Sequence, residues 1–202
     1  MAKQSSSHRI LALVESQGVI RPKQLEALGI PKVQLYRLVR QGLLKRVGRG
    51  LYTLPERASS AHESLVEASS RVPQGVICLL SALRLHEIGT QSPFEVWMAI
   101  EQKAWRPKIE YPPLRIIQYS GEAYHAGIEV HEIDGSEIRV YCPAKTIADC
   151  FKHRNKIGID VAIEALKEGW RAKRFTMDNL ERYARICRVS QVMRPYLEVL
   201  VG

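Results

Sequence analysis

Cysteine is scarce in this 202-residue sequence, and no CxxC pair occurs. The four thiols, Cys78, Cys142, Cys150 and Cys187, are scattered through mostly apolar contexts. This excludes a disulfide framework and a zinc ribbon, both of which need clustered sulfur. Reduced, buried thiols in a cytoplasmic protein are expected instead. The six histidines show no ligand spacing with each other or with the cysteines, so no metal site is expected. No apolar run approaches the ~20 residues needed to span a bilayer, and the N-terminus lacks the apolar core of a signal peptide. No internal repeat or low-complexity tract is visible. No glycine-rich phosphate loop precedes Lys145. No nucleophile, base and orienting group stand together at a recognisable spacing, so no catalytic residue and no cofactor are expected.

What is present is an unevenly placed positive charge. Residues 1–57 hold 11 Lys/Arg against 3 Asp/Glu, a net of +8, in a chain whose total is +9. Residues 58–142 carry −4 and residues 143–202 carry +5. A small basic segment is an electrostatic footprint for nucleic acid. The pattern within it sharpens that reading. Ser5, Ser6 and Ser7 are candidate N-caps for a helix from His8 to Gln17, with Ile10, Leu11, Leu13 and Val14 at helical spacing. Gly18 ends it. Pro22 opens a second helix to Leu28, with Leu25 and Leu28 inward, and Gly29 allows a tight turn. Pro31 opens a third helix to Gln41, with Leu35, Leu38 and Val39 inward and Gly42 as its stop. Two short strands, Leu44–Val47 and Leu51–Leu54, flank Gly48-Arg49-Gly50, and Pro55 ends the second.

Helix, helix, turn, helix, hairpin is the order of a winged helix-turn-helix, in which the third helix enters the major groove. Its outer side is expected to carry Lys32, Gln34, Tyr36, Arg37 and Arg40. Gln and Arg are shaped for bidentate contact with adenine and guanine edges. Lys45, Arg46 and Arg49 flank or tip the wing and suit phosphate or minor-groove contact.

After a polar boundary at Glu56–Ser60 the pattern is α+β. Helices are expected at Ala61–Arg71 and Val76–Ile88, the latter with Ser81 and Arg84 less buried. Strands are expected at Phe94–Ile100, Leu114–Tyr119, Ile128–Ile133 and Ile138–Cys142, the last two joined at Asp134-Gly135. A helical tail from about residue 143 follows: Ala144–His153 after Pro143, Ile159–Glu168, Asn179–Cys187 capped at Thr176, and Val192–Leu200. The expected fold is therefore a winged helix over 1–57, then an α+β domain over 58–202 with a small, mostly antiparallel sheet. Lys145 and Asp149, four apart, are expected to pair at the surface.

Five blocks are similar to the AbiEi family of antitoxins. They are Gly42-Leu43-Leu44-Lys45-Arg46-Val47-Gly48-Arg49-Gly50-Leu51-Tyr52, Ile77-Cys78-Leu79-Leu80-Ser81-Ala82-Leu83, Glu95-Val96-Trp97-Met98-Ala99-Ile100, Pro143-Ala144-Lys145-Thr146-Ile147-Ala148-Asp149 and Asn155-Lys156-Ile157-Gly158. The resemblance implies a bacterial repressor in phage defence, whose winged helix binds inverted repeats in its own operon's promoter. It also implies a C-terminal domain that counters a nucleotidyltransferase-like toxin. The class is type IV, in which direct binding to the toxin is not required. Operator DNA and the toxin are the implied partners, with a homodimer on DNA as one arrangement.

One local pattern suits an enzyme instead. Glu101-Gln102-Lys103 after the apolar run Val96–Ile100 resembles half of a metal-dependent nuclease site. It needs a second carboxylate, and Glu87 and Glu95 are the near candidates. An exposed strand end with ordinary charges is the simpler account. His125, Glu129, His131 and Glu132 read as alternation on a half-exposed strand. Arg171, Lys173 and Arg174, beside Trp170 and Phe175, offer a second nucleic-acid or partner surface. So do further cations of the tail, Lys152, Arg154, Lys156, Arg182, Arg185 and Arg188; a solvated helical face accounts for them as simply.

Overall fold

Apolar residues spaced three and four apart set up the first three helices, α1 (Ser6–Gln17), α2 (Pro22–Ala27) and α3 (Lys32–Arg40). The computed structural model describes residues 6–17, 20–48, 50–55, 61–133 and 136–201. The Glu56–Ser60 boundary, the Asp134-Gly135 turn and Arg49 lie outside these residues. Ile10, Val14, Ile20, Leu25, Ile30, Leu35, Leu38, Leu44 and Tyr52 form one apolar cluster, drawn from this N-terminal stretch alone. Full burial of each aliphatic side chain is worth about 1.5–3 kcal/mol. Leu28, expected inward, is 43% exposed, because α2 ends one residue before it. Gly42 adopts φ +72, a conformation open mainly to glycine, and so lets the Leu43 N–H reach the Leu38 carbonyl at 3.0 Å.

β1 (Lys45–Gly48) and β2 (Leu51–Thr53) pair antiparallel, with an irregular register between Arg46 and Gly48. Ile20 adds a single bridge to Tyr52 through two backbone bonds of 2.9 and 3.1 Å. The hairpin is thereby tied to the segment between α1 and α2. Sequence patterning alone does not disclose this bridge, since one residue has no period.

The rest of the chain builds a five-stranded sheet. The order of elements is α4 (Ala61–Arg71), β3 (Val76–Ile77), α5 (Leu79–Leu85), β4 (Val96–Glu101), β5 (Leu114–Tyr119), α6 (Glu122–His125), β6 (Ile128–Ile133) and β7 (Ser136–Tyr141). Then follow α7 (Pro143–Lys152), α8 (Arg154–Ile157), α9 (Ile159–Arg171), α10 (Met177–Ile186) and α11 (Ser190–Val201). The strands lie in the order β5-β4-β3-β7-β6. β4/β5 and β3/β7 are parallel, whereas β3/β4 and β6/β7 are antiparallel. The sheet is thus mixed rather than mostly antiparallel.

Two sequence expectations are corrected here. Val76–Ile88 is not one helix: Val76 and Ile77 form the central strand, Cys78 is the N-cap, and the helix begins only at Leu79. A two-residue strand buried on both faces shows no alternation, so its apolar run merges with the helix that follows. Ser81 is buried, and its hydroxyl accepts the Trp97 N–H at 2.9 Å, joining α5 to β4.

Strand alternation gives the sheet two apolar faces. Ile77, Met98, Ile138 and Val140 meet Leu65 and Ala68 of α4 on one side. Val76, Ala99, Ile117, Tyr119 and Tyr141 meet α7 on the other, with α9 and α10 behind it. Along α7 every residue from Ala144 to Phe151 is buried. α10 is capped by Thr176, whose hydroxyl accepts the Asn179 N–H at 3.3 Å. Thr176→Ala is expected to lower stability by about 1 kcal/mol, read as a lower urea midpoint with unchanged slope.

Candidate nucleic-acid interface

With Leu35 and Leu38 turned into the core, α3 presents its opposite side to solvent. At roughly 100° per residue, Val33, Tyr36, Arg37 and Arg40 fall within a ~100° arc centred near Val33. All four are exposed; Val33 is 66% and Tyr36 49% exposed. Two of the expected contact residues stand differently. Gln34 is half-buried at the flank of the arc, because it lies next to Leu35 and Leu38 on the helix circumference. Lys32 is exposed but directed sideways, its Nζ 2.5 Å from Oε1 of Glu26. That carboxylate holds the ammonium pKa above its ordinary value through hydrogen bonding and charge. Lys32 thus links α2 to α3 across the turn.

Tyr36 meets Tyr52 edge-to-face, ring centroids 6.4 Å apart, so the outer face of α3 is braced against β2. Lys45 and Arg46 are exposed on β1 beside it. Arg37, Arg40, Lys45 and Arg46 lie on one small N-terminal unit. Val33, not among the contact residues expected from the sequence, joins them on this arc. The helical wheel could have found it, because it is opposite Leu35 and Leu38.

The remaining polar residues of interest are in the α+β part. Lys145 and Asp149 pair as the sequence spacing predicts, at 2.6 Å, but both side chains are fully buried. The expectation of a surface pair is overturned, because α7 lies between the sheet and the layer of α9 and α10. The Lys145 ammonium also sits over the rings of Tyr141 (4.2 Å) and Tyr119 (4.8 Å). The Cys187 thiol donates to the other Asp149 oxygen at 3.2 Å. One buried ion pair therefore joins α7 to β5, β7 and α10. Burial pushes the Cys187 thiol up to about 12 and raises the Cys78 and Cys150 thiols, so these cysteines stay protonated. All four cysteines are free.

Burial lowers His153 to about 4, and its Nε2 has no hydrogen-bond partner among the described residues. His86 is also lowered by burial; its Nε2 contacts the Tyr141 carbonyl at 2.7 Å. A histidine held neutral in the fold but free to protonate when unfolded contributes stability above its unfolded pKa. That contribution is lost as pH falls from about 6.5 towards 4. The melting temperature is expected to fall between pH 7 and 4.5, and His153→Gln is expected to flatten the profile.

The nuclease geometry does not assemble around Glu101. Glu101 and Lys103 are exposed at the end of β4, whereas Glu95 precedes the start of the same strand and binds Arg115 at 2.8 Å. Six extended residues separate the two carboxylates by about 20 Å. Glu87 instead faces Arg174 at 3.6 Å. Among the described residues no group of three or more His, Cys, Asp or Glu is placed to hold a metal, and none of the described helices is long and apolar enough to cross a membrane. His131 contacts Glu129 at 3.2 Å on β6.

Two of the tail cations, Arg174 and Arg185, line different pockets. Arg171, Lys173 and Arg174 are exposed at the end of α9. Arg174 borders a polar pocket of about 380 Å³ with Glu129, Asn179 and Tyr183, whereas Arg185 lines a groove between α10 and α11. The Lys152 ammonium sits 5.2 Å from the Tyr119 ring.

No curated protein matches the chain. Residues 8–55, from the first helix to the end of the hairpin, match the family model described as transcriptional regulator, AbiEi antitoxin.

Proposed function

We propose that the chain is a sequence-specific repressor of its own toxin–antitoxin operon, with α3 reading base edges in inverted repeats. The carrying observation is the solvent-facing arc of α3, which joins Arg37 and Arg40 to an apolar residue and a tyrosine on a segment of net charge +8. Arg37 and Arg40 contact bases, Gln34 contacts them from the flank, and Tyr36 positions the helix. Lys32 supports the turn and reaches phosphate when Glu26 releases it. Lys45, Arg46 and Arg49 contact phosphate along the wing. Inverted repeats place two copies with their helices about 34 Å apart, one turn of duplex.

Residues 1–57 and 58–202 act as separable domains in this reading. The second counters a nucleotidyltransferase-like toxin in the cytoplasm and by binding rather than by catalysis. The surface around Arg171, Lys173 and Arg174 serves a nucleic acid or a partner.

Cells expressing the cognate toxin test the division of labour. The full chain is expected to protect them, and a fragment ending near Arg57 is expected to bind DNA weakly without protecting. Full protection by the fragment would overturn it. In a salt series on purified chain, Arg49→Ala is expected to reduce the slope of log affinity against log salt by about one unit, one phosphate contact.

A further inference from the structure

We infer that Val33 reads a thymine methyl group in the major groove, which makes it a specificity-determining residue of α3. This rests on the reading of α3 as the recognition helix. Val33 is the second residue of that helix, and N-terminal residues of a recognition helix contact base edges. It is 66% exposed, one of the most exposed large apolar residues of the described chain. It has no role in the N-terminal core, which is filled by Leu35 and Leu38 on the other side of the helix.

Its neighbours define what it can meet. Arg37 lies one turn on along the same face and Arg40 the turn after, with Tyr36 at the edge of that face, so Val33 is the aliphatic N-terminal end of a stripe that carries two cations. Arg37 and Arg40 suit the O6 and N7 acceptors of guanine. A β-branched aliphatic side chain neither donates nor accepts hydrogen bonds. The C5-methyl of thymine is the one apolar group that a base pair presents in the major groove. An exposed valine is destabilised by water on one side and gains by covering such a methyl. Lys32, the adjacent cation, is held aside by Glu26, which leaves the approach to Val33 clear of that ammonium.

The probe is deoxyuridine, which differs from thymidine only in that methyl group. Duplexes are first selected from a randomised library with the full chain. Each thymine of the selected site is then replaced singly by deoxyuridine, and affinity is measured for the native chain and for Val33→Ser. The native chain is expected to lose about three- to five-fold at one thymine per half-site, the magnitude of burying one methyl. Val33→Ser is expected to bind the parent site with that same loss and to show no further loss on deoxyuridine. It should keep the native circular-dichroism melt and lose less on random DNA than on the selected site. The inference is overturned if no thymine is sensitive, or if Val33→Ser retains the sensitivity. Failure to recover any preferred duplex would overturn base reading by α3 altogether, an outcome distinct from selected sites that are indifferent to deoxyuridine.

Discussion

Asp149→Asn is expected to destabilise the α+β part of the chain by about 3–5 kcal/mol, because it leaves the Lys145 ammonium charged in a site with no access to water. The amide keeps the volume of the carboxylate, so the loss reports the missing charge together with one acceptor, since both Asp149 oxygens receive hydrogen bonds. Three contacts converge there: the 2.6 Å ion pair, the rings of Tyr119 and Tyr141, and the Cys187 thiol. A paired replacement, Lys145→Met with Asp149→Leu, is expected to recover most of the loss, since an apolar pair of similar volume removes both desolvation penalties. Urea unfolding followed by circular dichroism measures both. If Asp149→Asn unfolds at the native midpoint, the pair does not hold α7 to the sheet. Because α7 is buried along eight consecutive residues, the single variant is also expected to abolish protection against the toxin. The N-terminal unit, whose apolar cluster is separate, is expected to stay folded.

The second large effect concerns DNA. Arg37→Ala is expected to weaken binding to the selected operator by about 1–3 kcal/mol, roughly five- to 150-fold, if its guanidinium makes a bidentate base contact. Arg37 stands on the exposed arc, away from the Leu35 and Leu38 face, so the fold has little reason to change. Random DNA is expected to be bound with a much smaller loss, equivalent to one cation. Equal losses on operator and random duplexes would show that Arg37 meets phosphate only. Lys32→Ala offers a contrast: its Nζ is held by Glu26, so the variant is expected to lose far less operator affinity than Arg37→Ala.

The N-terminal unit was legible because local rules and tertiary demands agree there. Pro22, Pro31 and Gly42 punctuate helices whose apolar positions repeat at 3.6 residues, and the observed bounds fall within a residue or two of the expected ones. β5 and β6, and the Thr176 cap, were readable for the same reason. The reading failed where a segment was too short to show a period. Val76–Ile77 joins the two halves of the sheet, yet two apolar residues ahead of a helix look like its first turn. The short helices α6 and α8, four residues each, went unseen for that reason.

Sequence by itself determined the basic N-terminal segment, the helix-turn-helix order and the identity of the residues on α3, because charge and helical period are properties of neighbours along the chain. Only the tertiary structure decided which of those residues face outward freely. It half-buried Gln34 and tied Lys32 to Glu26. The same holds for Lys145 and Asp149. Their i,i+4 spacing announced a pair, but burial depends also on β5, more than twenty residues before α7, and on α9 and α10, which follow it. Strand direction was likewise out of reach: whether neighbouring strands run parallel depends on long connections that carry no local signal, so the mixed sheet emerged only once β3 was seen between β4 and β7.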